Sequence, residues 1–132
     1  MVGIISIDGN PFGKERPKFY NGHAVTPEKT KAYEKKVKRL WFEEVGHTFH
    51  GAVQVGIRAL YKIPKSTPKS ARRMMLEGER RPGIKPDIDN IAKVVLDGLN
   101  GMAFDDDKQV VSLTMEKVYD DNPQVIVMVK EI

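Results

Sequence analysis

Hydrophobic residues recur with two different periods in the N-terminal half of the chain, and these periods predict its secondary structure. A β-branched run at residues 3–7 ends at the turn sequence DGNP, which predicts a first strand. Residues 25–46 place apolar side chains at three- and four-residue spacing, which predicts an amphipathic helix with Thr26 as N-cap and Gly46 after its last turn. Residues 52–61 alternate apolar and polar positions, the period of a half-buried strand.

The C-terminal half contains a second helical pattern and two further strand patterns. Residues 87–101 carry an apolar stripe at helical spacing and end in Asn-Gly, which predicts a second long helix. Residues 109–119 and 124–132 predict two strands that DDNP joins into a C-terminal hairpin. The order of these elements predicts one α+β domain over residues 1–132, with two long helices packed on a small mixed sheet of about four strands.

Two segments between these elements are basic and lack either period. Residues 12–25 combine cations and aromatic rings and are expected to form an exposed loop or an irregular hairpin. Residues 62–86 contain four prolines and many Lys and Arg side chains, and only residues 70–80 can form a short helix there. Both segments can be solvated surface, but the second lies immediately before an acidic stretch, which favours a polyanionic partner. The cations that could contact a polyanion such as a nucleic acid are Lys14, Arg16, Lys18, Lys65, Lys69, Arg72, Arg73, Arg80, Arg81 and Lys85.

The composition restricts both the class of protein and the side chains that could bind a metal ion. The chain has 132 residues, of which 40% are hydrophobic and 30% charged, a mixture that suits a soluble folded domain better than a disordered one. The absence of cysteine excludes disulfides and thiolate metal sites, and it fits a reducing cytoplasm. No signal-peptide pattern and no long apolar run is present, so we expect no membrane partner.

Six aspartates lie between residues 85 and 110 of this chain, although its net charge is +4. Asp87 and Asp89 flank the predicted start of the second helix, and in an extended segment residues two apart point to the same side. Either carboxylate alone could be the helix N-cap, but one helix start needs only one cap. The triplet at 105–107 could be a polar turn, or part of a loop that returns its acids to the helix start. Clustered carboxylates also suit Mg²⁺ or Mn²⁺, so a divalent cation is the alternative explanation.

Lys93 and Asp97 extend the polar stripe of the second helix. Lys93 follows Asp89 by four residues, where its ammonium could hold a carboxylate or contact a phosphate, and Asp97 is expected to pair with Lys93. Motifs for a P-loop, a zinc protease, a serine hydrolase and an EF-hand are absent. The three histidines are expected at the surface in ordinary hydrogen bonds.

The stretch KPDIDNIAKVVLDGLNG, followed by AFDDDKQV, resembles the signature of the RusA-like Holliday junction resolvases of bacteria and their prophages. The shared features are D-x-D-N at a helix start, a lysine four residues after the second aspartate, D-x-L near the helix end and D-D-x-Q-V before the next strand. The stretches ERPKF and HAVTPEKTKAYE and the basic PKS segment agree more loosely, so the resemblance covers nearly the whole chain.

The resemblance implies a small α+β homodimer that requires Mg²⁺, with Mn²⁺ as a substitute, and nicks two opposed strands of a four-way DNA junction. It implies catalytic, metal-binding roles for Asp87, Asp89 and Asp107, a catalytic role for Lys93, and a lesser metal-binding role for Asp106. The triplet's first acid is an addition to the family pattern. Two other functions stay open: a nuclease of broader branched or flap specificity would have the same site, whereas a non-catalytic DNA-binding module would need the cations but not the acids.

Overall fold

Six strands and three α-helices form in the computed structural model, which describes residues 1–132. The strands are β1 (Val2–Asp8), β2 (Lys18–Tyr20), β3 (His23–Val25), β4 (Val53–Lys62), β5 (Val110–Asp120) and β6 (Gln124–Glu131). The helices are α1 (Glu28–Glu44), α2 (Lys69–Leu76) and α3 (Ile88–Leu99), and a 3-10 turn at Asp107–Gln109 precedes β5. The α+β class and the two long helices are therefore confirmed, as is the short helix in the basic segment. No helix combines the length and apolar character needed to span a bilayer.

The main sheet has the strand order β1-β6-β4-β5, and β2 and β3 form a separate hairpin. β4 is parallel to β5 and antiparallel to β6, so the prediction of a mixed sheet is confirmed. The predicted C-terminal hairpin is wrong, because β4 lies between β5 and β6 and pairs with both. β4 is the most thoroughly buried strand, and its central place covers both of its hydrogen-bonding edges.

The predicted N-cap of α1 is also displaced by one residue. Pro27 occupies the N-cap position with an extended backbone (φ −58°, ψ 148°) and contributes no side-chain capping bond. Thr26 therefore lies outside the helix. Within the first turn, the buried Thr30 hydroxyl accepts the Glu15 backbone N–H at 3.3 Å and donates to the Glu15 carboxylate at 3.2 Å. These bonds attach the N-terminal loop to α1.

The relative direction of α3 and β4 determines which ends of these two elements lie close together. The Tyr61 hydroxyl, near the end of β4, donates to the Pro86 carbonyl just before α3 at 2.8 Å. At the other end, Phe49, which precedes β4, donates its N–H to the carbonyl of Ala103, just after α3, at 2.8 Å. α3 therefore runs antiparallel to β4, with its start at the carboxyl end of that strand.

Helices α1 and α3 pack closely at Gly98, and this contact yields a stability prediction. A Cβ atom at Gly98 would lie 2.7 Å from the Cβ of buried Val37. We expect Gly98→Ala to lower the free energy of unfolding by about 1–3 kcal/mol through overpacking, despite the higher helix propensity of alanine. Urea denaturation measures the change. An unchanged or raised midpoint for Gly98→Ala would contradict the prediction.

Candidate active site and nucleic-acid interface

Two exposed carboxylates stand at the start of α3. Asp87 is the N-cap residue, with φ −68° and ψ 150°, but its side chain makes no capping hydrogen bond. Asp89 lies in the first helical turn. Neither carboxylate has a hydrogen-bond or ion-pair partner within the chain, and both residues are exposed. Capping by these side chains therefore does not explain the pair, although the positive end of the helix dipole stabilises their charge.

Two side chains that sequence analysis missed fix the chain just before Asp87. Lys117 on β5 donates from its ammonium to the Ile84 carbonyl at 2.5 Å, and this ammonium lies 5.2 Å from the ring centroid of Tyr61. Burial, together with the nearby Asp87 charge, raises the pKa of Tyr61 to about 12, so its hydroxyl remains a donor to Pro86 at neutral pH. In the sequence, Tyr61 is only one more apolar position of a strand, and no local pattern marks Lys117.

Cations line two grooves beside this site. A groove of about 540 Å³ is lined by Lys62, Lys65 and Lys85 among others. A second groove of about 600 Å³ includes Lys85 again, together with Lys117 and Asp87. Lys85 thus belongs to both grooves. We name this surface the basic groove; its cations are Lys62, Lys65, Arg81, Lys85 and Lys117.

The ten candidate DNA-binding cations differ in whether an ion pair within the chain neutralises their charge. Lys14 pairs with Asp97 and Glu34, Arg72 with Asp121, and Arg81 with Glu116. The other seven are exposed and form no ion pair, so their charge is available to a polyanion. These seven are Arg16, Lys18, Lys65, Lys69, Arg73, Arg80 and Lys85.

The ion-pair partner of Asp97 differs from the one that the sequence predicts. The predicted Lys93–Asp97 pair is wrong, because Lys14 from the N-terminal loop takes the Asp97 carboxylate. Desolvation lowers the pKa of Lys14, but its hydrogen bond and charge interaction with Asp97, aided by Glu34, outweigh that effect and leave the pKa raised. Lys93 is left exposed and unpaired, one turn after Asp89.

We expect Lys14 to act in stability rather than in DNA binding. Lys14→Met should lower the free energy of unfolding by about 1 kcal/mol, because two half-buried carboxylates lose their cation. A raised folded-state pKa means that this contribution is present below pH 10.5 and is lost as the pH rises through the raised value. Urea titrations at pH 8 and pH 11 measure the difference, which should shrink at pH 11. A variant as stable as wild type at pH 8 would contradict the prediction.

The acidic triplet at 105–107 divides into three different environments. The Asp105 carboxylate forms a hydrogen bond with His50 Nδ1 at 2.9 Å. Asp106 caps the 3-10 turn: its carboxylate accepts the Lys108 N–H at 3.3 Å, and its own N–H donates to the Gln109 side chain at 2.9 Å. The turn interpretation therefore accounts for Asp106. Asp107 alone is exposed without a side-chain partner.

Asp107 does not come near Asp87 and Asp89 within one chain. The Gln109 amide donates to the carbonyls of Phe49 and Gly51, both at 2.9 Å, which places the triplet at the amino end of β4. Asp87 lies at the other end, beyond Val53–Tyr61, a span of about 26 Å at 3.3 Å per residue. The alternative in which the loop returns these acids to the helix start is therefore wrong. No group of three or more acidic or histidine side chains in one chain could hold a metal ion.

Comparison with known proteins identifies the family of this chain. The model of the family described as Endodeoxyribonuclease RusA matches residues 8–130, which include both acidic ends of β4 and the basic groove. The protein YqaN of Bacillus subtilis (strain 168), described as uncharacterized, is 33% identical over 134 residues, covering 96% of this chain and 94% of that protein. On the extent of these matches, the chain belongs to the RusA family of endodeoxyribonucleases.

Proposed function

We propose that this protein is a divalent-metal-dependent, structure-specific endonuclease that resolves four-way DNA junctions by paired nicking. The observation that carries the proposal is the pair of exposed, unpartnered carboxylates Asp87 and Asp89 beside the basic groove. A groove that only bound DNA would be weakened by two free carboxylates, because they repel phosphates. Membership of an endodeoxyribonuclease family supports hydrolysis of DNA as the chemistry.

The residues at the start of α3 fit a hard divalent cation. Mg²⁺ commonly takes one or two carboxylates and completes its shell with water and phosphate oxygens, so Asp87 and Asp89 would hold Mg²⁺ or Mn²⁺. The ion would supply an activated water and positive charge at the phosphate. Lys93, exposed one turn later, would contact the same phosphate. Tyr61 and Lys117 would keep the Asp87 backbone in place during the reaction.

A second copy of the chain would bring Asp107 to this site. β5 is an edge strand whose outer backbone edge makes no hydrogen bonds, and its Val111 and Leu113 side chains are 62% and 43% exposed. Antiparallel pairing of this edge with the same edge of a two-fold-related copy would set the start of one β5 beside the end of the other. The partner's Asp107 would then approach Asp87. Such a homodimer has two sites, matching two opposed scissile phosphates.

A cleavage assay on matched substrates tests the proposed function. The protein is incubated with a synthetic four-way junction, a flap and a linear duplex of the same sequence, each with Mg²⁺, Mn²⁺ or EDTA. We expect paired nicks in opposed strands of the junction, with either ion and not with EDTA. Equal cutting of the flap would support the broader nuclease instead. Binding without cutting under every condition would support the non-catalytic module.

The unpaired cations of the basic groove should set the salt dependence of DNA binding. Lys65→Gln/Lys85→Gln should weaken junction binding and reduce the slope of log K against log salt by about 0.9 for each phosphate that is no longer neutralised. Lys35→Gln/Lys130→Gln removes the same charge from exposed positions outside the groove and is the matched control. Fluorescence anisotropy at salt concentrations between about 50 and 200 mM measures both slopes. Equal slopes for the two variants would exclude the groove as the DNA-binding surface.

A further inference from the structure

The β2–β3 hairpin exposes two large aromatic rings. Phe19 is 73% exposed and Tyr20 is 62% exposed, and neither packs against another aromatic ring. The strands are joined by Asn21 and Gly22, whose φ angles of 50° and 79° suit the tight turn that joins twisted two-residue hairpins. An isolated two-stranded ribbon gains little stability from exposed rings. Folding therefore gives no reason for placing these side chains here.

The two rings lie on opposite faces of the ribbon. Phe19 pairs across the hairpin with Ala24, and Tyr20 with His23. Consecutive strand residues point to opposite sides, so Phe19 and Ala24 share one face while Tyr20 and His23 share the other. Lys18 is on the Tyr20 face. Because Ala24 is small, one flat side of the Phe19 ring stays accessible, and the ribbon presents an aromatic surface in both directions.

The hairpin is attached at the same end of the molecule as the carboxylate pair. The Lys14 N–H donates to the Asn90 carbonyl in the first turn of α3 at 2.9 Å, and Gly13 packs so closely on Pro86 that a Cβ there would be 2.6 Å from the proline Cβ. Lys18 follows Lys14 by four positions, a reach of at most about 14 Å. The unpaired cations Arg16 and Lys18 lie at the base of the ribbon.

We propose that the hairpin is a wedge that enters the branch point of the DNA, with Phe19 and Tyr20 stacking on the end base pairs of two adjacent arms. This inference rests on the proposed function. Base pairs at an open branch point lack a stacking neighbour on one side, so their flat faces are available to aromatic rings, as in single-stranded nucleic acid binding. A ribbon with one ring on each face fits between two arms, and Arg16 and Lys18 meet the phosphates beside it. Inside an intact duplex every base pair is stacked on both sides, so a duplex whose ends are closed by hairpin loops offers no such faces.

The wedge would therefore give the protein its preference for branched DNA. We expect each ring to contribute about tenfold to junction affinity, in the lower half of the range for base stacking on aromatic side chains. Phe19→Ala/Tyr20→Ala should lower junction affinity by about 100-fold and leave affinity for linear duplex within about twofold. Phe19→Trp/Tyr20→Trp keeps two stacking surfaces and should retain the preference. Phe42→Ala removes a ring on α1 that is 59% exposed and is the matched control.

The experiment measures binding in EDTA, so that no strand is cut, with 2-aminopurine at the branch point or in the middle of an arm. Wild-type protein should change the fluorescence at the branch point only, and the double alanine variant should not. A double alanine variant that keeps both the junction preference and the fluorescence change overturns the inference. Loss of the dimer by that variant in sedimentation would also overturn it, because the rings would then bind a second copy. Equal binding of junction and duplex by wild type would also overturn the inference, because no preference would be left for the wedge to explain. The proposed function is tested separately, by cleavage of the junction with Mg²⁺.

Discussion

Replacement of Asp87 or Asp89 with asparagine is expected to abolish junction cleavage, by at least about 10³-fold, while junction binding is retained or becomes tighter. Loss of a metal-binding carboxylate removes several kcal/mol of charge stabilisation at the phosphate, and each 1.36 kcal/mol changes the rate tenfold. Removal of a negative charge near the DNA backbone favours binding. Neither carboxylate has a partner in the fold, and the loss of its interaction with the helix dipole is offset by relief of the repulsion between the two charges. Thermal unfolding without metal should therefore show nearly unchanged stability for both variants.

Asp105→Asn provides the matched control for these variants. Its carboxylate contacts His50 at 2.9 Å and is 59% exposed, so the change removes a surface charge and should leave most of the cleavage activity. Asparagine is nearly as good as aspartate in a cap or a turn. Full activity of Asp87→Asn and Asp89→Asn would therefore show that these residues are structural, and the metal proposal would fail.

Mixing two inactive variants is expected to restore cleavage. If each site combines Asp87 of one chain with the partner's Asp107, then Asp87→Asn and Asp107→Asn are each inactive alone. Mixed dimers, however, contain one intact site, built from the wild-type Asp87 of one chain and the wild-type Asp107 of the other. Random exchange makes about half of the dimers mixed, so nicking should recover to about a quarter of the wild-type rate, with single rather than paired nicks.

The same mixture distinguishes a shared site from a site within one chain. If all ligands came from one subunit, neither subunit of the mixed dimer would be complete, and the mixture would stay inactive. A mixture of Asp87→Asn with Asp89→Asn is the negative control, because both changes fall in the same half of the site. Sedimentation giving a monomer near 15 kDa for an active enzyme would exclude the homodimer altogether.

The helices and strands were largely predictable because their signals are local. The apolar period and the terminal Asn-Gly locate α3, and the alternation at residues 52–61 locates β4 to within a residue. Strand pairing was not predictable in the same way. The DDNP sequence predicts a turn between β5 and β6, but it does not determine which strands pair. β4, the most buried strand, lies between β5 and β6 and pairs with both, so these two strands are not neighbours.

In the candidate site, too, features set by neighbouring residues could be predicted, whereas contacts between residues far apart in the sequence could not. The positions of Asp87 and Asp89 at a helix start follow from the sequence, and so does the exposure of Lys93. The partner of Asp97 does not, because helical spacing proposes Lys93 whereas the fold supplies Lys14 from a loop 83 residues away. Lys117 escapes detection for the same reason, since its contact with the Ile84 carbonyl exists only after β5 has paired with β4.

In the proposed homodimer, the length of β4 determines the distance between the Asp87 end and the Asp107 end of each chain. Tyr61 fixes the chain before Asp87 at one end of the strand, and Gln109 fixes the segment beside Asp107 at the other. The length of the strand therefore sets how far apart the two halves of a site lie on each chain, and with them the spacing of the two cuts. Inserting two residues in both β4 and β5 would lengthen this spacing by about 7 Å and preserve the buried face, whereas a one-residue insertion would turn that face to solvent. In this homodimer, a change in the length of β4 and β5 would therefore change the distance between the paired nicks.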